Sequence, residues 1–125
     1  MRRRTRPVLR SSFEDKVVLD LTSKGVSFTY ETLKLKYMIP ATSHTYTPDI
    51  ILGNGVIVEA KGYFELTDRK KMLLVIKQHP ELDIRMLFMK ANKPIRKGSK
   101  TTYEDWCDDN GIQWAIGTIP ESWYQ

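Results

Sequence analysis

The stretch Pro48-Asp49-Ile50-Ile51-Leu52-Gly53-Asn54-Gly55-Val56-Ile57-Val58-Glu59-Ala60-Lys61 constrains the fold more than any other part of the chain. Two short apolar runs flank Gly53-Asn54-Gly55, a strong hairpin turn signal, so the segment reads as two paired strands. Side chains on a strand alternate faces with period 2. Val56, Val58 and Ala60 therefore share one face, and Ile57, Glu59 and Lys61 share the other. A carboxylate and an ammonium on an otherwise apolar strand are unexpected, because burying charge is costly unless it is paired or bound to metal. Pairing across the turn brings Asp49, at the head of the first strand, to the Glu59 end of the second. Two carboxylates and a lysine then converge at one end of a hairpin.

That trio suits a particular chemistry. A hard cation such as Mg2+ takes oxygen ligands, typically one or two carboxylates plus water and substrate phosphate. Such an ion activates water and stabilises charge on a phosphodiester, and an ammonium nearby can orient the water or neutralise the transition state. Pro-Asp followed, ten residues after the Asp, by Glu-x-Lys resembles the core of the PD-(D/E)xK nucleases. The pattern is loose, and a surface hairpin with a Glu–Lys pair is the plainer reading of it. Pro48 and the apolar strands around the charges weigh toward the nuclease site.

At 125 residues the chain is long enough for one domain with one modest core. Its net charge of +5 and pI near 9.4 favour an acidic partner, of which nucleic acid is the commonest. A single cysteine, Cys107, excludes an internal disulfide and suits a reducing compartment. No run of 18 apolar residues is present, so no membrane span is expected, and no apolar stretch follows the basic N-terminus as in a signal peptide.

Residues 1–10 hold Arg2, Arg3, Arg4, Arg6 and Arg10 and read as a flexible basic arm ahead of a domain over 11–125. Arginine's planar donor fork suits phosphate, so the arm is read as a nucleic-acid contact rather than a solubilising tail. Ser11 with Glu14 forms a capping-box signature, and Phe13, Val17, Val18 and Leu21 follow at helical spacing up to a stop at Lys24-Gly25. On the residues alone, Glu14 is a capping glutamate and not a catalytic one. Residues 26–30 and 33–37 alternate as strands. Residues 38–47, with Pro40, lack helical or strand period and read as a connector. His44 within it is read as structural, with a ligand or phosphate-donor role as the alternative.

Thr67 or Asp68 is expected to cap a helix running to about Gln78, with Met72, Leu73, Val75 and Ile76 as its apolar side. Residues 84–89 read as an interior strand. Lys90, Lys93, Arg96, Lys97 and Lys100 crowd a following loop, a second candidate phosphate contact. A short helix from Thr101-Thr102 through Cys107 and Asp109 stops at Gly111, and residues 112–116 form a last strand, with Trp114 and Trp123 closing the core. Cys107, with no histidine near it in sequence, reads as packing. The order of helices and strands gives an α/β domain, a central mixed sheet flanked by helices. No Gly-rich phosphate loop and no zinc spacing occurs.

The strings Glu14-Asp15-Lys16-Val17, Ser23-Lys24-Gly25, Ile39-Pro40-Ala41, His44-Thr45-Tyr46-Thr47-Pro48-Asp49, Asn54-Gly55, Val58-Glu59-Ala60-Lys61-Gly62, Asp68-Arg69-Lys70-Lys71 and His79-Pro80-Glu81-Leu82-Asp83-Ile84-Arg85 occur in that order. Together they resemble the endonuclease I family of T-odd bacteriophages, the phage Holliday junction-resolving enzymes within the PD-(D/E)xK superfamily. The resemblance runs from about Phe13 to Trp123. It implies a restriction-endonuclease-like fold in an intertwined, domain-swapped homodimer, with residues 38–46 as the bridge between two catalytic domains. It implies a catalytic set of Glu14, Asp49, Glu59 and Lys61, with Asp49 and Glu59 as metal ligands and Glu14 as a further carboxylate acting in trans. The implied cofactor is Mg2+, with Mn2+ as a substitute and up to two ions per site.

The implied activity is hydrolysis of four-way junctions and branched DNA in the cytoplasm of an infected bacterial host, in recombination, debranching and host DNA breakdown. Lys16, His44, Arg69, Lys70, Lys93, Arg96 and Lys97 join the arginine arm as expected DNA contacts. The family type carries a basic C-terminal tail, whereas this sequence ends at Tyr124-Gln125. The arm and the loop over 90–100 are therefore expected to carry more of the backbone binding. Two rivals stand beside this reading: a duplex-cutting nuclease of the same core, and a non-catalytic architectural protein that binds junctions through its basic surface.

Overall fold

A computed structural model describes residues 12–39 and 42–125. The expectations for Ser11 and for the arginine arm fall outside these residues. The chain runs α1 (Ser12–Ser23), β1 (Phe28–Tyr30), β2 (Leu35–Ile39), β3 (Thr42–Tyr46), β4 (Ile50–Leu52), β5 (Ile57–Lys61), α2 (Leu66–Gln78), β6 (Ile84–Phe88), α3 (Tyr103–Asp109), β7 (Trp114–Ile116) and a 3-10 turn at Glu121–Trp123. Five strands form one sheet in the order β1-β4-β5-β6-β7. The first three are antiparallel and the last three parallel, so the sheet is mixed and β5 is its middle strand.

Period-2 alternation divides the core. Val56, Val58, Ala60, Ile50, Leu52 and Leu87 pack on one face against Phe13, Val17 and Leu21 of α1. Ile57, Met86 and Phe88 pack on the other face against Phe64, Met72 and Val75 and against Tyr103 and Cys107 of α3. Fully burying one such side chain contributes about 2 kcal/mol. Trp123 is buried in the first cluster, while Trp114 is only partly buried against the second.

Helix α1 buries the i, i+4, i+8 stripe Phe13, Val17, Leu21. Its end is a left-handed stop at Gly25 (φ +67°), where Gly25 N donates to Thr22 O and Val26 N to Leu21 O, satisfying carbonyls the helix would leave open. At the expected hairpin, Gly55 takes φ +95° and Leu52 N donates to Val56 O at 2.8 Å. Gly53 also accommodates a close neighbour, since a Cβ there would lie 3.1 Å from Ser27 Cβ. The turn is thereby anchored to the start of β1, and Asn54 Nδ2 ties it to Trp123 O.

Two local expectations change. The connector over 38–47 contains a strand: β2 and β3 pair antiparallel from Leu35↔Tyr46 to Ile39↔Thr42 as a separate two-stranded sheet. Ser43, His44 and Thr45 of β3 are exposed and Tyr46 is buried, so no strand period marks this half of the hairpin. It docks on α2, where Lys71 Nζ lies 5.4 Å from the centre of the Tyr46 ring, a cation–π contact. Helix α2 starts one residue before Thr67. Its N-cap is Glu65, and Asp68 is the partner three residues on, accepting from Glu65 N at 3.0 Å.

Candidate active site

The register of β4 and β5, Ile50↔Val58 and Ile51↔Ile57, sets Asp49 opposite Glu59. Asp49 N donates to Glu59 Oε2 at 3.0 Å, and Ala60 N donates to Asp49 Oδ2 at 3.1 Å. Both carboxylates are buried, with 1% and 3% of their surface exposed. The hairpin thus delivers the acidic pair that the turn signal and strand period implied. A second hydrogen bond fixes Glu59: the Tyr46 hydroxyl donates to the same Oε2 at 2.5 Å. Lys61 ends β5, partly exposed, with Nζ 3.5 Å from Asp68 Oδ1 in the first turn of α2.

Glu14 reaches this end of the sheet from α1. It is one residue beyond Phe13, so the packing that buries Phe13 and Val17 carries Glu14 inward as well. Tyr30, the last residue of β1, donates its hydroxyl to Glu14 Oε1 at 2.5 Å. The next residue, Glu31, takes φ +53°, a left-handed conformation that a side chain rarely adopts. This kink breaks strand alternation, so Tyr30 and Glu31 both reach the same acidic group. Glu31 N also donates to Asp49 O at 3.0 Å, which locks the kink to the head of β4.

One carboxylate oxygen from each of Glu14, Glu31 and Asp49 lies within 4.8 Å of the other two. Glu59 is not in that triad; it stands against Asp49 through the backbone amide. Burial and the charge of Asp49 push Glu59 up to about 8, against the pull of the Tyr46 hydroxyl, Lys61 and the Asp49 amide. Burial likewise raises the Tyr30 hydroxyl well above its ordinary value, reinforced by its bonds to Glu14 and Glu31, so it remains a donor. Carboxylates buried this closely are compensated by a proton or by a cation. A set of hard oxygen donors on three chain segments suits a divalent ion of the Mg2+ class, and the triad of Glu14, Glu31 and Asp49 can hold one.

The structure therefore brings Glu14 and Asp49 together, sets Glu59 beside Asp49, and places Lys61 two residues further along the same strand. The residue-by-residue reading of Glu14 as a plain helix cap missed its burial. Sequence reasoning also missed Glu31, Tyr30 and Tyr46 as partners of the site. A lone Glu after a short strand carries no mark, and a positive φ at a residue other than glycine leaves no trace in sequence. Among the expected DNA contacts, Lys16, His44, Lys70, Arg96 and Lys97 are exposed, and Lys93 is half-buried. Arg69 differs: it is buried, with Nη1 donating to Phe64 O at 2.6 Å and Ile95 O at 3.1 Å. It shares the buried stripe of α2 with Met72 and Val75, so helical period turns it inward. Cys107 is fully buried and its thiol is pushed up to about 12, which leaves it a packing residue.

Fold and site together define a mixed α/β domain whose buried carboxylates gather at one end of a central hairpin. The family model of phage endonuclease I matches residues 1–125, and the chain belongs to that family. Endonuclease I of Escherichia phage T7 is 52% identical over 114 residues, 91% of this chain and 76% of the T7 protein. Endodeoxyribonuclease 1 of Enterobacteria phage T3 is 49% identical over 111 residues, 89% of this chain and 73% of the T3 protein. The resemblance carried by the sequence strings is thereby established. No helix among the described residues is long and apolar enough to cross a membrane.

Proposed function

We propose that this chain is a metal-dependent endodeoxyribonuclease that resolves four-way junctions and other branched DNA as a homodimer in the cytoplasm of an infected bacterium. The observation that carries the reading is the triad of the buried Glu14 and Asp49 with the half-buried Glu31, beside Glu59 and Lys61, in a member of the phage endonuclease I family. Glu14, Glu31 and Asp49 would hold Mg2+ or Mn2+, with Glu59 completing the set toward a second ion. A bound ion of this class supplies a water nucleophile at neutral pH and charge neutralisation at the scissile phosphate. Tyr30 and Tyr46 hold Glu14 and Glu59 in fixed orientations, and the Asp49–Ala60 bond holds Asp49. Lys61, kept in place by Asp68, offers its ammonium to the developing phosphate charge or to the attacking water.

Backbone contacts from the arginines of residues 1–10 and from Lys16, His44, Lys70, Lys93, Arg96 and Lys97 would set position on DNA, and branch geometry would set choice of substrate. In the dimer, α1 and β1 of each chain would exchange across residues 38–46, so that Glu14 and Glu31 meet the partner's β4–β5 hairpin. The hairpin of β2 and β3 is the segment that would open to form the bridge. Mixing Glu14→Ala chains with Asp49→Ala chains tests the exchange. Shared sites give heterodimers with one intact site and recovered cutting; sites built within one chain give none once the subunits have exchanged.

The deciding experiment is cleavage of a four-way junction beside a linear duplex of the same sequence, with Mg2+ and with chelator, by wild type and Glu59→Ala. Metal-dependent paired cuts in the junction arms, absent in the variant, are the expected result. Equal cutting of the duplex would make the chain a general nuclease. Tight junction binding without cutting in any metal would make it an architectural protein.

A further inference from the structure

Two residues beyond Lys61, the Tyr63 side chain stands 67% exposed, among the largest apolar surfaces the described residues present to solvent. Lys93 Nζ lies over one face of its ring, 5.2 Å from the centre. The two residues come from different segments, and several bonds hold those segments together. Arg69, buried beneath them, donates through one nitrogen both to Phe64 O, next to Tyr63, and to Ile95 O, two residues past Lys93. Tyr103 N donates to Lys93 O at 2.9 Å, Ile95 N to Thr101 O at 2.9 Å, and Asn92 N to the buried Glu104 Oε2 at 2.8 Å. The basic loop is thus a pinned structure rather than a loose one, and the aromatic–ammonium pair is preset beside the catalytic strand.

We infer that Tyr63 and Lys93 form a nucleotide-binding platform in which the free ring face stacks on an unpaired base next to the cleaved strand and the ammonium takes its phosphate. The inference rests on the nucleic-acid substrate proposed above. A paired duplex hides its base faces, whereas a base released at a branch or a flap offers one, and an aromatic ring binds it with little regard to sequence. A phosphate contact alone would need the lysine but not the ring. The pairing of a positive charge with an exposed ring, at a fixed distance and two residues from Lys61, is what singles out a nucleotide over a bare phosphate. The platform would make Tyr63 a specificity-determining residue, favouring DNA whose bases are unstacked where the strand is cut.

The test measures binding in chelator, so that cutting does not enter, with wild type and Tyr63→Ala, Tyr63→Leu, Tyr63→Phe and Lys93→Gln. The probes are a linear duplex and the same duplex with one unpaired 2-aminopurine. Wild type and Tyr63→Phe are expected to change the 2-aminopurine fluorescence and to hold that probe roughly tenfold more tightly than Tyr63→Ala and Tyr63→Leu, the size expected for one lost stacking contact. Duplex binding should be the same for all four. Lys93→Gln should weaken both probes and lower the salt slope by about one. Tyr63→Ala binding both probes as wild type does, or losing both equally, would overturn the platform, and so would Tyr63→Leu behaving as Tyr63→Phe. Cutting of a four-way junction by wild type in Mg2+, run in parallel, reports separately on the nuclease reading. Stacking without cutting would keep the platform and discard the nuclease; cutting without stacking would do the reverse.

Discussion

The two halves of the acidic site are built in different ways. Asp49, Glu59 and Lys61 come from one hairpin, and a single turn at Gly53-Asn54-Gly55 sets their register. Glu14 and Glu31 come from α1 and the end of β1, and they reach Asp49 only because α1 packs across the face of β5 and β1 pairs with β4. The first half is fixed by local rules that cost little chain entropy to satisfy. The second needs long-range packing and a left-handed residue, whose strain must be offset elsewhere. Asp49 is the joint, since it is hydrogen-bonded into the hairpin and belongs to the triad as well.

The largest effect should come from that joint. Asp49→Asn keeps the shape of the side chain but removes a charge from both halves, and cleavage should fall on the order of a thousandfold or more. Single-turnover rates in excess Mg2+ check it. A loss under tenfold would mean that Glu59 and Lys61 operate without the triad.

Glu31→Gln separates the halves. It leaves the hairpin untouched and turns one of the three carboxylates that can hold an ion into a neutral amide. Metal affinity should drop about 10- to 100-fold, seen as a shift of the Mg2+ midpoint in cleavage titrations. Rates at saturating Mg2+ should recover toward wild type. An unmoved midpoint would leave Glu31 as a structural kink and the remote half with Glu14 alone.

Stability against pH reads the local half in the absence of metal. Folded Glu59 keeps its proton to about 8, whereas the unfolded chain releases it near 4.5. Between these values the folded state binds more protons, so this contribution is fully present below the unfolded value and is lost as pH rises through about 8. The metal-free protein should melt several degrees lower at about pH 8.5 than at about pH 5.5, and Glu59→Gln should flatten that difference. Mg2+ should raise the melting temperature more at the higher pH, because there it need not displace a proton. A metal-free protein equally stable at both values would mean that Glu59 is ionised throughout.

Legibility followed the same division. Strand alternation placed Val56, Val58 and Ala60 on one face and Ile57, Glu59 and Lys61 on the other, and the two core clusters divide the apolar ones that way. The turn glycines, the Gly25 stop and the start of the short helix at Thr101-Thr102 were also readable, because each is a local backbone requirement. The strand over 33–37 anticipated part of β2, but β3 was not readable, since Ser43, His44 and Thr45 are polar and exposed and lead to the buried Tyr46. Glu14 reads from its neighbours as a cap, and its burial at the acidic end of the sheet leaves no local mark, because it depends on Tyr30, sixteen residues away. Arg69 sits among basic residues in sequence yet points inward, and only the helical period shared with Met72 and Val75 hints at this.

The smallest effects belong to the two tyrosines, one on each half. Tyr46 donates to Glu59 and Tyr30 donates to Glu14, each at 2.5 Å and each buried. Removing one such bond to a carboxylate costs about 1–3 kcal/mol, so each Phe variant should lose on the order of tenfold in activity. The two should differ in kind. The Tyr46 hydroxyl holds the Glu59 value down, so Tyr46→Phe should raise it and move the alkaline loss of stability of the metal-free protein to higher pH. Tyr30→Phe should leave the Glu59 profile in place and shift the Mg2+ midpoint instead, because its hydroxyl orients a member of the triad. Identical shifts in both variants would show that the two halves titrate as one unit, and the division between local and remote construction would then describe how the site is assembled but not how it works.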